Sequence, residues 1–176
     1  MLERFSKIFK MLMESIVILL VVTLTLIVLI AVVYRKAHAS LSWYDEVASV
    51  LLAWLTYYGA ALAALSRGHI GFNGLVNAMK PSMRLGLIVI AEVFVFGFFG
   101  LLAWVGIQVL QVLEGDAMVS LPWVPTRLTQ SVIPIGAVLF MIAEALSLPE
   151  MWRQARSAKG VATHDDVPLP VVEATK

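Results

Sequence analysis

Residues 15–34 of the chain read SIVILLVVTLTLIVLIAVVY, a run of twenty residues without a charged side chain. At a rise of about 1.5 Å per residue, such a run makes a helix of about 30 Å, roughly the thickness of the hydrocarbon core of a bilayer. Inside lipid the backbone has no water to bond to, so a segment this apolar must be helical. The stretch therefore predicts a transmembrane helix.

Three more apolar stretches occupy most of the remaining chain. Hydrophobic residues make up 60% of the sequence and charged residues only 14%, which excludes an ordinary soluble domain. We predict an all-α integral membrane protein with one four-helix transmembrane domain over residues 1–154 and a disordered cytoplasmic tail over residues 155–176. The predicted spans lie at about residues 13–34, 43–65, 85–112 and 128–148.

The start of the chain also has features of a cleaved signal peptide. A basic segment precedes the first span, and residues 37–39 (AHA) have the form of a cleavage site. The apolar run is longer than in a usual signal peptide, however, and Arg35 and Lys36 separate it from that site. These features favour a retained membrane helix.

The basic residues indicate which side of the membrane each connection faces. If the N-terminus is cytoplasmic, ten of the 13 lysines and arginines lie inside and three lie outside. This asymmetry follows the positive-inside rule and predicts that both termini are cytoplasmic. The outer residues are Arg35, Lys36 and Arg127. The inner residues are Arg4, Lys7, Lys10, Arg67, Lys80, Arg84, Arg153, Arg156, Lys159 and Lys176.

The inner connection between the second and third spans has a pattern of its own. Over residues 72–84 apolar residues recur at helical spacing, with polar residues on the opposite face. The pattern suits a short interfacial helix in the headgroup plane, separated from the third span by Pro81; an ordinary loop with chance periodicity fits equally well. The residues expected to anchor this side to lipid headgroups are Arg67, Lys80, Arg84 and Trp152.

The sequence offers little material for catalysis. It contains no cysteine, which excludes disulfides and thiolate chemistry. His38, His69 and His164 all fall outside the predicted spans, so a haem held between membrane helices is disfavoured. Phosphate-binding and hydrolase motifs are absent from the sequence as well. We expect no enzyme activity, no metal or cofactor, and no nucleic-acid partner.

Two acidic residues, Glu92 and Glu144, lie well inside the third and fourth spans at comparable depth from the inner face. Ionisable residues at membrane depth are functional candidates by default. One hypothesis makes them a proton- or ion-coupling pair. The other, which we favour, is that each carboxyl group bonds to a neighbouring helix or reaches toward the inner headgroups.

The second span carries small residues that would let another helix approach closely. Gly59 with Ala63, and Ala60 with Ala64, form two small-xxx-small pairs. Trp54 lies in the same span, and its indole N–H needs a partner there. Four helices alone bury only part of such a surface, so we expect self-association or docking against a larger membrane protein.

Three segments in fixed order carry a family resemblance: residues 42–46 (SWYDE), residues 54–61 (WLTYYGAA) and residues 67–70 (RGHI). Together they resemble the second span of the small, Q-type (DctQ-like) subunit of TRAP transporters, the tripartite ATP-independent periplasmic systems. A Trp-x-Pro at residues 123–125 and an IPIG segment at residues 133–136 are similar too. The resemblance covers roughly residues 10–155, with a departure at residues 71–73, where the family commonly has valine and aspartate after His-Ile. The matching positions are Trp43, Glu46, Trp54, Gly59, Ala60, Arg67, His69 and Ile70.

The resemblance implies a non-catalytic subunit in a bacterial inner membrane. In this family a large M-type subunit carries the substrate and sodium sites, and a soluble periplasmic protein delivers the solute, usually an organic acid. The small subunit braces the fixed scaffold of the large one. The residues expected at the partner interface, or holding the subunit's own structure, are Trp43, Glu46, Trp54, Gly59, Ala60, Ala63, Arg67 and His69.

Two other classes of function remain open from the residues alone. The chain could be a self-contained four-helix transporter or channel that acts as a homodimer, with Glu92 or Glu144 as the coupling carboxylate. It could also be the membrane anchor of a respiratory enzyme, which the positions of the histidines disfavour.

Overall fold

The computed structural model describes residues 2–66 and 81–156, and these residues are almost entirely helical. The helices are α1 (Leu2–Lys36), α2 (Tyr44–Leu65), α3 (Pro81–Val112), the short α4 (Thr126–Gln130) and α5 (Val132–Arg156). Four segments are long and apolar enough to cross a membrane, which confirms the predicted all-α fold with four spans. They are Arg4–Lys36, Tyr44–Leu65, Leu85–Val112 and Thr126–Pro149.

The first helix begins at Leu2, upstream of the membrane span predicted at about residues 13–34. Its basic first turns carry Phe5, Phe9 and Met13 at four-residue spacing, which places these side chains on one helix face. Phe9 and Met13 are buried in the core cluster with residues of α2 and α5. This apolar contact extends the helix past the end of the hydrophobic run, to a length of about 52 Å.

Two predicted features fall wholly or partly outside the described residues. Most of the expected interfacial helix lies outside the described residues. Pro81 is the first residue of α3. This position suits proline because its missing N–H is not needed in the first turn of a helix. The tail is also outside, except that α5 continues to Arg156.

The fourth span is two helices rather than one, with the break at Ser131. In a continuous helix the N–H of residue 134 would bond the carbonyl of Gln130, but Pro134 has no N–H. The chain turns at Ser131 instead, whose N–H bonds the carbonyl of Leu128 (3.3 Å). Pro134 then falls in the first turn of α5, where proline is tolerated.

The main contacts between the long helices run in series: α1 packs on α2, α2 on α5, and α5 on α3. The outer faces of the two end helices, α1 and α3, are therefore left uncovered within the chain. Phe94 of α3 and Val33 of α1, for example, are 74% and 65% exposed. These surfaces must be covered by lipid or by another membrane protein.

One close approach between spans is at the contact of α2 with α5. A Cβ atom built on Gly136 would lie 2.7 Å from Cβ of Tyr57, closer than real Cβ contacts allow. Ala61 and Ala64 of α2 and Ala143 of α5 are buried in the same core cluster. Only small residues allow the two backbones to come this near.

The small residues of α2 consequently fall on different faces. Ala64 belongs to the buried contact with α5, and Ala60 packs against its edge. Ala63 is partly buried, and no atom lies within 4 Å of a Cβ built on Gly59. The residue that shares the buried face with Ala64 is Ala61, not Ala60.

Candidate functional site: the N-terminal end of α2 and its open face

The connection between α3 and α4 is a compact loop over residues 113–125. The loop turns at Gly115, whose φ of +97° favours glycine. Two backbone bonds close it: the N–H of Met118 bonds the carbonyl of Val124 (3.0 Å), and the N–H of Thr126 bonds that of Asp116 (2.9 Å). Met118 is buried beneath the loop, so the connection has a defined shape.

Glu46, in the first turn of α2, holds this loop through its carboxylate. One oxygen accepts the backbone N–H of Val119 (3.0 Å), and the other accepts the backbone N–H of Ser120 (2.8 Å) and its hydroxyl. Hydrogen bonds to an ionised acceptor are about twice as strong as neutral ones. The Glu46 clamp, as we call these three bonds, joins the N-terminal end of α2 to a loop more than seventy residues away in sequence.

Trp54, two turns deeper in α2, bonds to the break between α4 and α5. Its indole N–H donates to the carbonyl of Thr129 (2.9 Å). The turn at Ser131 removes that carbonyl from the regular helix ladder, and an unpaired carbonyl at membrane depth would be costly. This one hydrogen bond pairs both the indole N–H of Trp54 and the Thr129 carbonyl that the helix break leaves free.

The first turn of α2 also contacts the end of α1. The guanidinium of Arg35 donates to the Tyr44 hydroxyl and lies 5.5 Å from the centre of the Tyr44 ring. Trp43 is the N-cap residue, and its carbonyl accepts the N–H of Val47 (3.2 Å). The sequence analysis did not predict the Arg35–Tyr44 contact. The sequence feature that indicates it is a basic residue and an aromatic residue on either side of one short connection.

One face of α2 is left uncovered by the rest of the chain. Ser49, Thr56 and the C-cap residue Ser66 are exposed on it, and Gly59 and Ala63 on the same face are partly buried. We call these five residues the open face of α2. The hydroxyls of Ser49 and Thr56 bond carbonyls one turn earlier in α2 (2.7 and 2.8 Å), so they present no unsatisfied donor to their surroundings.

The remaining predicted site residues are dispersed. Arg67, His69 and Lys80 lie outside the described residues, and Arg84 is in the first turn of α3. Trp152, near the end of α5, is 42% exposed.

Glu92 and Glu144 lie on helices that pack against each other, α3 and α5. The Oε2 atom of each is buried without a hydrogen-bond partner among the described residues.

These features define a multi-pass membrane protein with four spans. Among the residues that the structure describes, no group of three or more histidine or acidic side chains could hold a metal ion. The chain belongs to the DctQ family: residues 24–154 match the family described as tripartite ATP-independent periplasmic transporters, DctQ component. Comparison with curated proteins gives no match. Membership confirms the resemblance found in the second span and makes the chain a transporter component, the small permease subunit of a TRAP system.

Proposed function

We propose that this chain is a non-catalytic subunit that scaffolds the large M-type subunit of a sodium-coupled secondary transporter for organic acids. The observation that carries the proposal is that the polar side chains of α2 hydrogen-bond within the chain. Glu46 and Trp54 bond to the outer loop and to the helix break, so they fix the fold rather than line a path for a solute. A rigid subunit with uncovered apolar faces suits a role as a brace.

The family supplies the setting of this proposal, since its description names a tripartite periplasmic system. The large subunit would hold the solute and sodium sites, and a periplasmic binding protein would deliver the solute. The chain would lie in a bacterial inner membrane with lipid on its remaining surfaces. Residues 1–154 would form the membrane domain, with both termini cytoplasmic.

Copurification tests the proposal. The full-length chain, tagged and expressed with its large subunit and binding protein, should recover the large subunit in near-equal amount, and uptake of an organic acid should require both. A chain that is recovered only as a homodimer, and that transports without the large subunit, would support the self-contained transporter instead.

Membrane orientation gives a second test. Because ten of 13 basic residues fall on one side, a reporter fused after Lys176 should report a cytoplasmic C-terminus. A matched fusion within residues 113–125, in the outer loop, should report the periplasm. The opposite pair of results would contradict the predicted orientation.

Glu92 and Glu144 should be dispensable for coupling to sodium, because the proposal places the ion sites in the large subunit. Glu92→Gln and Glu144→Gln keep the side-chain size and a hydrogen-bonding group, so uptake in cells with all three components should stay within about threefold of wild type, a free-energy change below 1 kcal/mol. Loss of uptake in a normally assembled complex would favour the homodimeric transporter, whose coupling carboxylates these would be.

A further inference from the structure

One face of α1 is uncovered along most of the helix. Residues spaced three, four or seven apart share a helix face, and this face points away from the one that Phe9 and Met13 bury in the core. Its exposed residues, which we call the α1 stripe, are Ile8, Leu12, Leu19, Val22 and Leu26.

The composition of the α1 stripe suits lipid better than another helix. Helices that pack tightly in a membrane meet through small residues, such as Gly59 and Ala63 on the open face of α2, whereas the stripe consists of large branched side chains. Ser15 lies on the same face, but its hydroxyl bonds the carbonyl of Met11 (2.8 Å) within α1. Acyl chains can cover such a surface without a fixed geometry.

The stripe ends at two basic residues. Arg4 precedes Ile8 by one helical turn and so lies on the same face, and Lys7 is adjacent to Ile8 in sequence. The side chains of Arg4 and Lys7 are both exposed.

The charges of this segment are only partly balanced within the chain. The third base, Lys10, pairs with Glu14 (3.8 Å), which leaves one further acid in the segment, Glu3. Among the side chains that the structure describes, neither Arg4 nor Lys7 forms an ion pair. This end of α1 therefore carries an excess of positive charge.

The length of α1 places these bases near the lipid headgroups. From Ile8 to Tyr34 the helix measures about 40 Å, more than the roughly 30 Å of the hydrocarbon core. A helix of this length tilts or extends into the headgroup layer. Basic side chains at that level attract anionic lipids, and a guanidinium can hold two phosphate oxygens at once.

We propose that the N-terminal end of the α1 stripe binds an anionic phospholipid. The lipid phosphate bonds the side chains of Arg4 and Lys7, and an acyl chain lies along Ile8 and Leu12. The site is separate from the proposed scaffold role and needs no partner chain to exist.

Native mass spectrometry can detect the bound lipid. The full-length chain in detergent micelles is mixed with equal amounts of phosphatidylglycerol and phosphatidylcholine that carry the same acyl chains. We expect the wild type to retain phosphatidylglycerol in preference. Since each basic residue near an anionic headgroup changes affinity by about fivefold, Arg4→Gln/Lys7→Gln should weaken phosphatidylglycerol binding about twentyfold and leave phosphatidylcholine binding unchanged.

Lys10→Gln/Lys36→Gln is the matched control, because it removes the same total charge. Lys10 is already paired with Glu14, and Lys36 lies at the opposite end of α1. This variant should bind phosphatidylglycerol within about threefold of wild type. Equal weakening by the two double variants would overturn the proposal, because net charge alone would then explain the binding.

Two further outcomes would also overturn it. If soluble glycerol phosphate displaced the lipid, the acyl chains and the stripe would have no part in binding. If the wild type retained no phosphatidylglycerol and was recovered as a dimer, a second copy would be the occupant. The measurement involves neither the large subunit nor uptake, so its failure would leave the scaffold role standing, and a failed copurification would leave the lipid site standing.

Discussion

Replacing Gly136 with alanine is expected to destabilise the folded chain by about 1–3 kcal/mol, the usual range for overpacking a close contact. The new methyl group would lie 2.7 Å from Cβ of Tyr57. That atom is fixed to the α2 backbone and cannot rotate away, so α2 and α5 would have to separate. The measurement is thermal unfolding of the purified full-length chain in detergent or nanodiscs, followed by size-exclusion recovery.

Gly59 provides the matched control for this substitution. It lies in the adjacent span, but no atom is within 4 Å of a Cβ built there. Gly59→Ala should leave the midpoint of unfolding unchanged or raise it, because alanine favours a helix over glycine by about 1 kcal/mol. Equal destabilisation by Gly136→Ala and Gly59→Ala would contradict the close contact of α2 with α5.

Substitutions at the same two glycines also distinguish an effect on internal packing from an effect on partner binding. Gly59→Leu places a bulky side chain on the open face of α2 while it leaves the core untouched. If the large subunit covers that face, the variant should insert normally yet lose most of its copurifying partner. Full copurification with full uptake would show that lipid covers the open face.

Removing the Glu46 carboxylate is expected to release the loop over residues 113–125. Glu46→Ala leaves two backbone N–H groups and one hydroxyl without their acceptor, and a hydrogen bond to a charged group contributes about 1.5–3 kcal/mol. Hydrogen exchange at the amides of Val119 and Ser120 should therefore speed up by about tenfold to a hundredfold. Mass spectrometry of the loop peptide measures this rate, and copurification should fall as well if the loop helps form the partner surface.

Glu114→Ala is the control, because it removes a carboxylate from the same loop. Glu114 is 76% exposed in its side chain and lies 3.6 Å from Arg127, an arrangement that contributes about 0–1 kcal/mol. Exchange at Val119 and Ser120 should change little. If Glu46→Ala and Glu114→Ala had the same effect, the clamp would be no stronger than an ordinary surface ion pair.

The four spans could be predicted from the sequence because the length of an apolar run is enough to identify a membrane-spanning helix. The start of α1 could not be placed in the same way. The predicted span begins at about residue 13, whereas the contacts of Phe9 and Met13 with other spans carry the helix itself to Leu2. Burial against a neighbouring helix is a tertiary effect, and hydropathy does not report it.

The faces of α2 and the roles of its motif residues depended on the structure for a similar reason. Residues 59–64 are nearly all small, and the position of Gly136 on α5 determines that Ala61 and Ala64 are the buried ones. Glu46 and Trp54 were identified by resemblance, but their partners are in a distant loop and at a helix break that no periodicity predicts.

Glu92 and Glu144 illustrate the remaining gap. Their similar depth was evident from the sequence, but whether they meet depends on which spans are neighbours. Four antiparallel helices can be arranged in several ways, and the contact of α3 with α5 places the two acids on neighbouring helices.

The serial order α1–α2–α5–α3 has a geometric consequence for solute passage. A channel needs a ring of walls, and helices that touch in series leave the ring open between the first and the last. Among the described helices, α1 and α3 make no main contact with each other, so the main contacts of one copy do not close such a ring. If the chain is the scaffold proposed above, the space through which a solute crosses the membrane is completed by walls from another chain.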